Sequence, residues 1–382
     1  MTMPAAPRRY LDNAATSWPK PPAVLEAWMD AAARVGATAG RAAYREAVEA
    51  ESIRGRARAA CGRILGGVAP ARVAFTAGCT IALNTAIGGL LRPGDHVIAT
   101  AADHNAVLRP LHALEQRGVI ALSIVPCDGG GRVDPQAIAA AWRPATRLVC
   151  CTHASNVTGA LQDAAAISGI ARDRGGLFLL DASQTLGQVP FTVPGGGADI
   201  VAAPAHKWLL GTAGVGILWC RQGVEPEPLV IGGTGSASDA LAMPESYPAR
   251  LEAGTADVPA LAALGAAIGW LEDRSIAAVG GVCLELARRC AAELATVPGV
   301  RVIAAGDGAP IVSFTVADHD PAEVAAAAEA IAGVQVRSGI HCAARVHDWL
   351  GTLPGGTVRA SFGPFNTAAD VEALVAAVRA IA

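Results

Sequence analysis

Apolar positions in this chain come in short unbroken runs, separated by longer stretches of helical spacing. RVAFTAG (72–78), HVIAT (96–100), ALSIVPCD (121–128), RLVCCT (147–152), LFLLD (177–181), DIVAAPA (199–205) and the end of LLGTAGVGILWC (209–220) each read as a strand. Helical patterning is predicted over 23–34, 44–65, 79–91, 106–117, 134–142 and 163–174. Runs without polar alternation, bounded by glycine-rich breaks, suit strands buried on both faces of a parallel sheet. Their alternation with helices predicts an α/β architecture, a mostly parallel sheet of seven strands.

The pattern changes near residue 255. Residues 259–295 read as long, alanine-rich helix, split near Gly280-Gly281. Then come strands at 300–305 and 310–316, a helix at 321–332, strands at 334–339 and 357–362, and a helix at 367–381. The expected organisation is an N-terminal arm (1–20), a large domain (21–255) and a small α+β domain (256–382).

Composition narrows the function classes. The chain has 382 residues, of which 52% are hydrophobic, so its core needs no cofactor or disulfide to hold it together. A formal charge of -3, with no basic cluster interleaved with aromatics, argues against nucleic acid and against an acidic membrane surface. MTMPAAPRRYLD lacks the apolar core of a secretory leader, and 258–271 is too short to span a bilayer. Nine cysteines without CxxC spacing predict neither a disulfide framework nor a metal site, which fits a reducing, cytoplasmic compartment.

The candidate chemistry gathers where strands end. If the strands closing on Asp181 and on His206-Lys207 run parallel, a carboxylate and an amine share the carboxyl edge where open α/β sheets bind ligands. Pyridoxal phosphate asks for that pair: a lysine for its aldehyde and an acid for its ring nitrogen. Alone, the pair also occurs by chance. Cys79-Thr80 opens a helix after a glycine, which suits a phosphate or plain capping by Thr80. His104 and Ser155-Asn156 follow two further strands; His104 suits stacking on a flat ring, catalytic proton transfer or an exposed loop. His341-Cys342, after a turn, suits a thiolate nucleophile or a structural thiol. Arg359, inside an apolar strand, suits a substrate carboxylate or an internal salt bridge.

YLDNAAT, FTAGCT, DHNAV, THASNVTG, DASQ, AHK, EAGT, RSGIHCA and VRASFGPFNT occur in this order and span nearly the whole chain. With these pieces the sequence resembles the class V aminotransferase-like pyridoxal-phosphate enzymes, in particular the cysteine desulfurase and selenocysteine lyase group. The resemblance implies fold type I, a homodimer with active sites at its interface, and a small amino-acid substrate. Lys207 would carry the Schiff base, Asp181 would hold the ring nitrogen, Gln184 would reach the ring oxygen, and His104 would stack on the ring. Thr80, His206 and the Cys79 backbone would bind phosphate, with Thr255 reaching the partner's. Asn156 would contact the cofactor oxygen or the substrate carboxylate, Arg359 and Asn13 would meet the substrate, and Cys342 would take its sulfur as a persulfide, leaving alanine. A sulfur-acceptor protein is a further implied partner. Pro204-Ala205, Tyr44 and Val358 depart from the usual residues. Cysteine, selenocysteine and another amino acid, with lyase or aminotransferase chemistry, therefore stay open, as does a non-catalytic cofactor scaffold.

Overall fold

The computed structural model describes residues 8–40, 42–193, 197–236, 238–305 and 308–382. The first seven residues of the expected arm, where the leader reading falls, lie outside the described residues.

In chain order the elements begin with β1 (Arg9–Tyr10), α1 (Pro22–Asp30), α2 (Arg45–Ile64), β2 (Val73–Thr76), α3 (Cys79–Leu90), β3 (His96–Thr100) and α4 (Asn105–Gln116). Next come β4 (Ala121–Val125), α5 (Pro135–Ala140), β5 (Thr146–Thr152), α6 (Ala164–Asp173), β6 (Leu177–Asp181), β7 (Ile200–Pro204) and β8 (Gly216–Cys220). The C-terminal part comprises α7 (Val258–Arg274), α8 (Ile276–Leu294), β9 (Val300–Ala305), β10 (Ile311–Val316) and α9 (Pro321–Ala332). It ends with β11 (Val334–Gln335), β12 (Arg337–Gly339), α10 (Ala344–Leu350), β13 (Thr357–Ser361) and α11 (Ala368–Arg379).

The large sheet has seven strands among the described residues, in the order β2-β8-β7-β6-β5-β3-β4. Only β8 runs against the rest. Alternate residues of one strand enter opposite cores: Phe178 and Leu180 join one cluster, Leu177 and Leu179 the other. Helices cover both faces, so the strands carry no polar alternation. This is the α/β fold of a large, mostly parallel sheet.

The small domain is an antiparallel sheet, β12-β13-β10-β9, whose core residues come from the sheet and from α8, α9 and α11. The arm belongs to it: β1 pairs in parallel with β11, Arg9 opposite Val334.

Three details differ from the sequence reading. The long C-terminal helix breaks at Ser275 (φ 65°), not at Gly280-Gly281. Gly280 lies inside α8 because a Cβ there would run into the Gln188 carbonyl. The core also changes beyond the composition boundary at 255: α7 packs into the large-domain cluster; α8 still touches that cluster through Ile276 and Val279 and enters the small one from Leu286 onward. Finally, 334–339 is two strands, β11 and β12, in different sheets, and α10 was not expected.

Candidate active site

β6 and β7 are parallel, with Asp181 opposite Ala202, so Asp181 and the turn after Pro204 share one sheet edge. That turn is short because β8 returns antiparallel: Ala205 N donates to Val215 O (2.9 Å), Gly211 N to Ala205 O (2.9 Å) and Leu210 N to Lys207 O (2.9 Å). Leu210 takes a left-handed conformation (φ 61°) to close it. Lys207 thus stands on a tight, braced loop at the wall of a cavity of about 270 Å³.

The cavity brings together most of the expected site. Cys79, Thr80, His104 and Asn156 line one part; Asp181, Gln184, His206 and Lys207 line the rest. A larger cleft of about 670 Å³ opens at the opposite edge of the sheet, but its lining of arginines and carboxylates holds neither lysine nor cysteine. Surrounding protein pushes the Lys207 ammonium pKa down, with Asp181 opposing. Asp181 Oδ1 accepts from Ser183 N at 2.9 Å. Among the described residues, both contacts to the Asp181 carboxylate are made by Oδ1, and none by Oδ2.

His104 is the N-cap of α4: its Nδ1 accepts from Ala106 N at 2.9 Å, so Nε2 carries the proton of the neutral ring. Burial lowers its pKa to about 4, which keeps the ring neutral at physiological pH. No side chain caps α3, and Gly78 stands at its cap (φ 116°), so the leading N–H groups at Cys79-Thr80 are available to an anion. The loop approaches β8 so closely that a Cβ on Gly216 would strike the Gly78 backbone. Cys79 Sγ lies 3.3 Å from Ser183 Oγ and 4.0 Å from Asp181; burial, then Asp181, drives its thiol pKa up. Gln184 accepts from Trp208 Nε1 (2.7 Å) and donates to Ala14 O (3.1 Å), which leaves one N–H of its amide free.

The Cys342 loop sits at the rim. His341 and Cys342 both have positive φ (52° and 59°), a strained pair for non-glycine residues. Two bonds from the large domain hold it: Asn156 Nδ2 donates to His341 O (2.6 Å) and Asn105 N to Cys342 O (2.8 Å). The His341 ring anchors in Thr357, and Cys342 is exposed with Arg337 Nη2 3.8 Å from its sulfur.

Other expected residues lie apart from the cavity wall. Arg359 is buried and paired with Asp12 (2.7 Å), and its Nη1 donates to Asn156 O (2.9 Å). The internal salt bridge is therefore present, although Arg359 Nε is buried without a partner. Burial lowers the Arg359 pKa, and Asp12 opposes that. Asn13 bridges the arm to Ser361 O (2.9 Å) and Asn366 Oδ1 (3.1 Å). Thr255 lines a neighbouring cavity with Thr76, Ala77 and Gly254.

Sequence reasoning passed over Ser183, Asp103, Asn105 and Arg337. Asp103 is fully buried, accepting from Thr100 N (2.8 Å), Thr100 Oγ1 (2.9 Å) and Thr152 N (2.6 Å). Its place beside His104 was the one available signal. Arg337 showed none, because only the strand break before Cys342 turns it toward the sulfur.

A free amine beside an unshared carboxylate oxygen, with open helix N–H groups and a flat neutral ring close by, fits pyridoxal phosphate. Among the described residues no cluster of His, Cys, Asp and Glu could hold a metal ion, and no helix is long and apolar enough to cross a membrane.

The family model Aminotransferase class-V matches residues 9–374. A probable cysteine desulfurase of Methanothermobacter thermautotrophicus is 35% identical over 375 residues, covering 96% of this chain and 92% of that protein. Cysteine desulfurase CsdA of Escherichia coli is 30% identical, covering 97% and 92%. The crystal structure of CsdA superposes with a TM-score of 0.87 at 29% identity, over 97% of this chain and 93% of that one. The apo cysteine desulfurase of Thermococcus onnurineus NA1 superposes with a TM-score of 0.91 at 27% identity, over 100% and 99%. With its matched sequence, its mostly parallel sheet and its lysine-bearing turn, the chain belongs to the class V aminotransferase family.

Proposed function

We propose that this chain is a pyridoxal-phosphate-dependent cysteine desulfurase, which releases sulfur from L-cysteine and leaves alanine. The observation that carries the reading is the convergence of Lys207 and Asp181 on a cavity whose rim is the braced Cys342 loop. Lys207 and Asp181 would hold the cofactor, with His104 against its ring, Gln184 at its oxygen, and Thr80, His206 and the Cys79 backbone at its phosphate. Bound there, the cofactor supplies an electron sink for the substrate Cα.

The chain's own groups do the rest. A lysine with a lowered pKa is a competent base, so Lys207 Nζ takes the Cα proton and later returns one. Cys342 Sγ attacks the substrate sulfur; the carbon–sulfur bond breaks, its electron pair stays with carbon, and the sulfur remains on Cys342 as a persulfide. Arg359 would meet the substrate carboxylate with Asn156 and Asn13, sharing its guanidinium with Asp12. The exposed position of Cys342 suits delivery of that sulfur to an acceptor protein. A cytoplasmic homodimer, with Thr255 reaching the partner's phosphate site, completes the reading. Selenocysteine, with selenium in place of sulfur, is an equivalent substrate for the same groups.

The test is direct. Purified protein loaded with pyridoxal phosphate receives L-cysteine, and alanine and sulfide are measured beside Cys342→Ala and Lys207→Ala. The wild type is expected to yield both products, and each variant neither. Undiminished alanine from Cys342→Ala would move the reading to a lyase. Light scattering is expected to give twice the monomer mass.

A further inference from the structure

Four donors from the N-terminal segment converge on one backbone oxygen, the carbonyl of His206. They are Ser17 N (3.0 Å), Ser17 Oγ (3.1 Å), Thr16 Oγ1 (3.1 Å) and Lys20 Nζ (2.8 Å). A carbonyl has two lone pairs, so this oxygen is crowded with donors. Lys20 is the shortest of the four and the only charged one. It also donates to Ser17 Oγ at 2.7 Å, so hydroxyl and ammonium form one unit.

Among the described residues, no carboxylate pairs with Lys20. Burial pushes its pKa down to about 8, and no acid offsets that. A half-buried cation without a counter-charge is costly, and its partners here are one hydroxyl and one peptide carbonyl. That carbonyl belongs to the residue before Lys207. The turn's own hydrogen bonds fix Ala205, Leu210 and Gly211, and they leave the 206–207 peptide to the arm.

We propose that Lys20 is a positioning residue for Lys207: with Thr16 and Ser17 it clamps the His206 carbonyl, and so sets the direction in which the next side chain enters the cavity. The inference rests on the reading of Lys207 as the cofactor lysine. It assigns a task to the arm: locked to the small domain through β1, the same segment holds the lysine turn of the large domain.

The experiment compares wild type, Lys20→Met, Lys20→Arg and Ser17→Ala, with Lys207→Ala as the control for attachment. Cofactor-free protein is mixed with pyridoxal phosphate. Covalent attachment is followed by visible absorbance and by mass spectrometry after borohydride reduction, and visible circular dichroism reports the ring's orientation. Lys20→Met is expected to attach cofactor about tenfold more slowly, the factor one charge-assisted hydrogen bond carries. A weakened dichroic band and an unchanged thermal midpoint should accompany this, and Lys20→Arg should recover the rate. Amide hydrogen exchange of the cofactor-free variant should rise over residues 203–211 and in the arm, and nowhere else. Wild-type attachment and dichroism in Lys20→Met would overturn the proposal, as would slow attachment accompanied by a global rise in exchange. If Lys20→Met does not fold, Ser17→Ala carries the same expectations and the same refutations. A wild type that attaches no cofactor refutes the functional reading instead; exchange over 203–211 then still decides whether Lys20 holds the turn.

Discussion

Asp103 precedes His104 and ties the ends of β3 and β5 together. All three of its hydrogen bonds accept from donors, two of them backbone N–H groups. Burial raises its pKa to about 7. An amide cannot replace it, because one end would turn an N–H toward another N–H. Asp103→Asn is expected to cost about 2 kcal/mol, the penalty of a buried donor left unsatisfied. Urea denaturation reads this, and a wild-type midpoint would refute it. His104 works at the same scale in two ways, lining the cavity while its Nδ1 caps α4. His104→Phe keeps a flat ring and loses the cap, so it should lose about 1 kcal/mol of stability on the same measurement.

Two close approaches control the elements around the site. Glycine inside a helix ordinarily costs about 0.8–1.0 kcal/mol against alanine. At Gly280 the sign reverses, because the methyl group would enter the Gln188 carbonyl and push α8 off the large domain. Gly280→Ala should therefore destabilise by about 1–3 kcal/mol, and a raised thermal midpoint would contradict the packing described. Gly216 plays the matching part in the large sheet, where β8 passes beneath Gly78. Gly216→Ala should displace the start of α3 and weaken pyridoxal phosphate binding several-fold, as titration of the cofactor-free protein would show. The Cys342 loop makes the same point from the other side. Its two left-handed residues persist because the loop after β5 and the start of α4 supply the bonds that hold them.

For the whole molecule, the buried histidines dictate the response to acid. Burial holds His104, His153 and His206 at about 4 and His341 at about 2, against 6.5 for a free ring. As pH falls below 6.5 the unfolded chain takes up protons that the folded chain refuses until about 4, so stability declines across that window. Asp103 acts the other way: between 3.8 and about 7 the folded state holds the extra proton. One carboxyl opposes four rings, so the thermal midpoint of the cofactor-free protein should fall steadily as pH is lowered from about 7 to about 4.5. A flat profile would mean that these rings are solvated.

The sequence by itself determined the large sheet and its edge. Strands buried on both faces need unbroken apolar runs, and helices between them need caps such as Asp134 and Asp163, which are visible as residue types. Asp181 and Lys207 could be matched in this way because both close such runs. Tertiary structure alone decided what lies several strands or a whole domain away. The break of the C-terminal helix fell at Ser275 because Gly280 was needed against Gln188, and no local pattern encodes a carbonyl on another element. Arg359 met Asp12, and the arm met His206, across sequence separations of 347 and 186 residues. Burial, the pairing of charges and close backbone approach depend on which distant segments share a surface, and that is settled only when the chain folds.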